Sequence, residues 1–202
     1  MKVCILDYGS GNTKSVFNLL QSLESNTIVS NDIADIESAT HIILPGVGAF
    51  GASMQKIRDK IPIDVLEKEV FKTKKPFLGI CVGMQVLANV GYEFGEEKGL
   101  GWIDGEVKKL PTLDLPLPHV GWNNVIVDQP SPITDEFVEE IDFYFVHSFA
   151  FFPKHEQTTI AHSVYGANFS SIIKRENILG VQFHPEKSQR AGALLIKNFL
   201  KM

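Results

Sequence analysis

"FLGICVGMQ", residues 77–85, decides how this chain is read. An apolar run enters Gly79-Ile80-Cys81-Val82-Gly83, and "VGMQVLANV" (82–90) then reads as a helix that stops at Gly91. A strand that turns sharply into a helix is the unit of an open α/β sheet, and the residue at the turn stands above the sheet's carboxyl edge. Toward the N-terminus the same rhythm recurs. "KVCILDY" reads as a buried strand, and "NTKSVFNLLQSL" sets Val16, Leu19, Leu20 and Leu23 at helical spacing. "TIVS" is a short strand, "HIILP" is another that should stop at Pro45, and 52–73 is helical with a break at Pro62. From about residue 99 the rhythm changes. "GWIDGEVKKL", "NNVIVD", "FYFVHSF", "TIAHSV" and "SSIIK" are strand-like pieces, "ILGVQF" is a last strand, and "AGALLIKNFL" is a closing helix. The three prolines of "PTLDLPLP" (111–118) demand a loop. The predicted fold is α/β: a mostly parallel central sheet flanked by helices, with antiparallel strands added in the second half, as one domain over 1–202.

Composition narrows the function. The 202 residues are 44% hydrophobic and 21% charged, enough to bury a core without covalent staples. The formal net charge is -5 with no basic block, which argues against nucleic acid as a partner. Only Cys4 and Cys81 are present, so a reducing, cytoplasmic setting is expected. The apolar stretch of "MKVCILDYGSGN" is too short for a signal segment, and no 18-residue apolar run exists, so no membrane is expected. The two cysteines lie far apart and neither H-x-H nor H-E-x-x-H occurs, so neither a metal nor a cofactor is expected.

"ILPGVGAFG" (43–51) offers a competing reading, because Gly46, Gly48 and Gly51 spell G-x-G-x-x-G after an apolar run. A dinucleotide site needs a second strand ending in an acid about 20 residues further on. The acids near that distance, Asp64 and Glu67, lie in a charged helical stretch, so the dinucleotide reading fails. "DYGSGN" (7–12) lacks the Lys-Ser/Thr ending of a phosphate loop and reads as a tight strand-to-helix turn.

Cys81 in G-x-C-x-G is the thiol form of a nucleophile elbow. Flanking glycines allow the strained turn, the Val82 amide can donate to an oxyanion, and a helix N-terminus favours a thiolate. Cys4, among Val3 and Ile5 in mid-strand, reads as structural. A thiol nucleophile needs a base. Of six histidines, His184 in "GVQFHPEKS" is the best placed, at the end of an apolar strand. Pro185 keeps the chain extended, so Glu186, two residues on, shares the side of His184 and can orient its ring. His41 reads as structural, and His155 and His162 lack a partner pattern. His119 in "PHVGWNN" and His147 in "FVHSF" stay open.

Cys81 in its elbow, "HPE" near the C-terminus and "PGVG" upstream together resemble the class I glutamine amidotransferases. "DYGSGN", "LPGVGAFG", "GICVGMQ", "PHVGWN", "YFVHSF" and "GVQFHPEKS" follow in order across nearly the whole chain, and this set is similar to the glutaminase subunits of imidazole glycerol phosphate synthases. The resemblance implies hydrolysis of L-glutamine through a cysteinyl thioester, with Cys81 as nucleophile, His184 as acid and base, and Glu186 as orienter. It implies an oxyanion site at Val82 and Val47, and a glutamine grip by Gly46, Gly48, Gln85, His147 and Ser148. It further implies a β/α-barrel cyclase partner that takes the ammonia in histidine biosynthesis, docked on Asn12, Trp122, Asn123 and Lys187. Thr13, Lys14 and Phe149 depart from the common family pattern, which leaves open an amino-sugar acceptor with the same chemistry. A stand-alone γ-glutamyl hydrolase is the other enzymatic reading, and "PHVGWN" and the short length argue against it. A regulatory scaffold is opposed by the retention of Cys81, His184 and Glu186.

Overall fold

In the computed structural model, which describes residues 1–137 and 141–202, strand and helix alternate through the first half. The order is β1 (Lys2–Ile5), α1 (Thr13–Ser22), β2 (Asn26–Val29), α2 (Ile33–Ser38), β3 (His41–Gly46), α3 (Phe50–Lys60), α4 (Ile63–Glu67) running into a π-helical turn (Lys68–Lys72), β4 (Phe77–Cys81) and α5 (Val82–Gln85). There follow β5 (Val90–Gly91), β6 (Glu97–Lys98), β7 (Gly105–Lys109), β8 (His119–Val127), β9 (Ile141–His147), β10 (Phe149–Pro153), β11 (Thr159–Tyr165), β12 (Ala167–Arg175), β13 (Ile178–Val181) and α6 (Gln189–Leu200).

Nine strands form one sheet in the order β2-β1-β3-β4-β13-β12-β11-β8-β9, and β10-β7-β5-β6 form a second. The first five strands of the large sheet run parallel, and the remainder pair antiparallel. The predicted α/β class therefore describes the molecule. β3, β4 and β13 are all but fully buried, as parallel strands covered on both faces must be. The antiparallel end carries an aromatic core in which Phe143 stacks on Phe183, with ring centroids 3.9 Å apart. Among the described residues no helix is long and apolar enough to cross a membrane.

Two expectations fail at the elbow and its neighbouring strand, and a third fails after β13, where Pro185–Lys187 closes a 3-10 turn, with the Lys187 N–H donating to the His184 carbonyl, and is not extended. β3 does not stop at Pro45 but runs on to Gly46. The carbonyl of Ile43 accepts from Leu6 on the β1 side, so the N–H that proline lacks would also point there, two residues on. Pairing between β1 and β3 has already ended at Ile5↔Ile43, so no ladder bond is lost.

The second failure concerns "VGMQVLANV". The helix covers only Val82–Gln85, and Val90–Gly91 is a strand. Amides of Leu100, Ile103 and Gly101 take the carbonyls of Val86, Leu87 and Ala88 at 2.8, 3.0 and 2.9 Å, the acceptors a longer helix would have used. The tertiary contact overrides a good local helix pattern.

Candidate active site

The carboxyl ends of adjacent parallel strands build the site. In the register of β3 with β4, Gly46 stands beside Cys81. In that of β4 with β13, Ile80 stands beside Val181, which sets His184 three residues past the neighbouring strand end. Cys81 has φ 54° and ψ -110°, a strained conformation for a side-chain-bearing residue, and it caps α5. The helix crowds the strands: a Cβ on Gly83 would lie 1.9 Å from the Leu44 oxygen, and one on Gly79 would lie 2.3 Å from the Gly83 oxygen. Glycine is required at both places by close backbone approach. Gly46 is similar, since a Cβ there would meet the Gly83 nitrogen at 2.5 Å and the Tyr8 hydroxyl at 2.7 Å.

A cavity of about 160 Å³ opens over this edge. Of the residues singled out in the sequence, Val47, Gly48, Cys81, Val82, Gln85, His147, Ser148 and His184 line it. Gly46, paired with Cys81 across β3 and β4, does not line it. Glu186 stands behind His184, its Oε1 2.8 Å from the ring Nδ1, with both side chains buried. The remaining ring nitrogen, Nε2, is buried without a nitrogen or oxygen partner. Burial pulls the pKa of His184 down. Hydrogen bonds and charge from Cys81 and Glu186 outweigh it and raise the value to about 10. The sulfur on one side and the carboxylate on the other thus favour the charged form of the ring.

The expected docking residues divide. Trp122 is 49% exposed, not a core aromatic. Lys187 is exposed, with its ammonium 5.5 Å from the Tyr144 ring centroid. Asn12, half-buried, donates to Glu186 Oε1 at 3.2 Å, which makes it a neighbour of the His–Glu pair. Strand alternation turns Asn123 away from the face of Trp122, and its amide donates to the Val164 carbonyl at 2.9 Å.

Two site residues, Glu93 and Gln182, escaped the sequence reading, and a third, Phe149, was noted there only as a departure from the family pattern. Glu93 lines the cavity and accepts the Phe50 N–H at the start of α3, at 2.8 Å. Nothing distinguishes it from Glu96 and Glu97 in "YEFGEEKG". Gln182 is fully buried, its amide nitrogen 3.8 Å from the Cys81 sulfur and its oxygen accepting from Gln85 at 3.1 Å. Its position two residues before His184 was the available signal. Phe149 contributes its carbonyl, which accepts from Gln85 Nε2 at 2.9 Å. Among the described residues no group of three or more His, Cys, Asp or Glu is arranged to hold a metal ion.

Comparison with known proteins gives the family of the chain. The family model "Glutamine amidotransferase class-I" matches residues 4–202. Imidazole glycerol phosphate synthase subunit HisH 2 of Nitrobacter winogradskyi is 42% identical, over 99% of this chain and 98% of the relative. The protein of the same name from Vibrio vulnificus is 44% identical, over 99% and 94%. Among solved structures, PurLQS from Thermotoga maritima superposes with a TM-score of 0.75 at 17% identity, covering 99% of this chain and 97% of that one, which supports the fold alone. With a family match spanning nearly its full length and relatives above 40% identity, the chain belongs to the class-I glutamine amidotransferase family.

Proposed function

We propose that this chain, as one domain over 1–202, is the glutaminase subunit of an imidazole glycerol phosphate synthase, supplying ammonia for histidine biosynthesis. One observation carries the chemistry: Cys81 and the His184–Glu186 pair meet at neighbouring strand ends in a single cavity. In the proposed cycle the Cys81 sulfur attacks as the thiolate, the proton being held on His184. It adds to the side-chain amide carbon of glutamine, and the oxyanion is held by the Val82 N–H and the segment at Val47. The C–N bond breaks as His184 Nε2 gives its proton to the departing ammonia. His184 then takes a proton from water, which attacks the thioester and releases glutamate. Glu186 holds Nδ1 protonated throughout, steadied by Asn12.

Gln85, Gly48 and the backbone around His147 and Ser148 grip the substrate. Glu93, its carboxylate on the cavity wall, is the anionic partner for the α-ammonium group of glutamine. The relatives are named as subunits of a synthase, and a half-exposed Trp122 with Lys187 close to Tyr144 supports a docked partner on this side. That partner is proposed to be a β/α-barrel cyclase that takes the ammonia directly, in the cytoplasm. No cofactor enters the cycle.

The test is an electrophilic glutamine analogue. It should label Cys81 stoichiometrically, and Cys81→Ala should lose both labelling and glutamate release. Glutamate release that persists in Cys81→Ala removes the assignment. Recovery of the acceptor subunit by pull-down from the native cell distinguishes a histidine-pathway synthase from an amino-sugar one.

A further inference from the structure

Two buried histidines stand outside the sulfur–imidazole pair and yet reach it. His119 and His147 are 3% and 5% exposed. His119 Nδ1 lies 3.0 Å from His147 Nε2, and His147 Nδ1 lies 3.0 Å from the Phe149 carbonyl oxygen. Hydrogen-bond chemistry fixes the proton positions. A carbonyl only accepts, so His147 Nδ1 carries the hydrogen. Burial holds His147 neutral, so its Nε2 is a lone pair. The atom facing that lone pair, His119 Nδ1, must donate. Burial likewise holds His119 neutral, and its Nε2 accepts from the Asn123 amide at 3.3 Å. Asn123 itself cannot turn, because its nitrogen also donates to Val164 and its oxygen accepts the Asn124 N–H at 2.8 Å. At the other end, the Phe149 carbonyl also accepts from Gln85, whose second N–H goes to Gln182, and Gln182 donates to the Cys81 sulfur. Gln85 is left with its oxygen as its one uncommitted polar atom.

We infer that His119 and His147 are positioning residues for the cavity: as neutral Nδ1–H tautomers they connect the fixed Asn123 amide on β8 to the Phe149 carbonyl, and so set the orientation of Gln85. This rests on the glutaminase reading of the cavity. The competing explanation is packing alone, since His119 stacks on Tyr165 and Phe145 with centroids 4.1 and 5.1 Å away.

Two measurements on the full chain separate these. His119→Phe keeps the stack and removes the donor, while His119→Asn returns an N–H near the Nδ1 position. His119→Phe should raise the KM for glutamine about tenfold with kcat changed less than about threefold, and His119→Asn should recover most of the loss. Nitrogen-15 spectra of the native chain should show Nδ1 protonated and Nε2 bare on both rings from about pH 6 to 8. An Nε2–H tautomer or a charged ring at either residue overturns the proposal, whether or not the variants fold. So does a native KM in His119→Phe. If the native chain hydrolyses no glutamine even with its synthase subunit bound, the glutaminase reading falls while the spectra still report whether the hydrogen-bond chain exists.

Discussion

Glu186 touches His184 and Asn12 and does not line the cavity, so its contribution through the imidazole can be tested by itself. Glu186→Gln keeps an acceptor near Nδ1 and removes the charge that holds the imidazolium. Glutaminase kcat should fall on the order of 10²- to 10⁴-fold, read as steady-state glutamate release. The histidines also give stability a definite pH profile. Burial lowers the pKa of His119 to about 4 and that of His147 to about 3, whereas unfolded rings titrate near 6.5. As pH falls below about 6.5, the unfolded chain takes up protons that the folded chain refuses. Unfolding free energy then drops by about 1.4 kcal/mol per pH unit per histidine. The pKa of His184 is raised instead, so its stabilisation is complete below about 6.5 and is lost as pH climbs toward about 10. Together these place maximum stability near pH 6.5, and His119→Phe should remove about half of the acid-side slope. Denaturant titrations at half-unit pH intervals would show both effects.

The elbow is the element on which the site depends. β3, β4 and α5 approach so closely that side chains are excluded at Gly79 and Gly83. Gly83→Ala forces the Leu44 carbonyl or the helix to move, and a destabilisation of about 3 kcal/mol is expected. For a domain of this size that is a fall in Tm of about 10 °C by calorimetry. β8 is the second informative element. Its alternation sends Trp122 outward and Asn123 inward, so one strand touches the proposed docking side with one residue and the buried hydrogen-bond chain with the next. The helix that ends at Gln85 teaches the same point in reverse. Its sequence is periodic enough to continue, and the loop at 99–103 stops it by taking its carbonyls.

At the scale of the whole molecule, the parallel sheet places three chain segments side by side, and the antiparallel end wraps an aromatic core against them. The partner should act on this assembly from outside. Glutamate release by the isolated chain is expected to be low and to rise when the synthase subunit and its ligand bind. Trp122→Ala should weaken that complex by about 2 kcal/mol, roughly 30-fold in Kd by titration calorimetry, without lowering the basal rate. Full activity in the isolated chain would instead fit a stand-alone hydrolase.

Local pattern determined a good deal of this protein by itself. Alternating strand and helix signals defined the α/β class, and the glycines around Cys81 marked the elbow. The two-residue spacing of His184 and Glu186 did bring base and carboxylate together, but across a 3-10 turn at Pro185–Lys187 and not along the extended chain that alternation assumes. Only the tertiary structure decided the rest: that Pro45 costs β3 nothing, that Glu93 and not its neighbours walls the cavity, that Gln182 reaches the sulfur, and that Asn123, His119 and His147 fix one another's protons. Those contacts join residues far apart in the chain. Their existence depends on strand order and register, which are settled by which buried faces fit together and not by any periodicity along the chain.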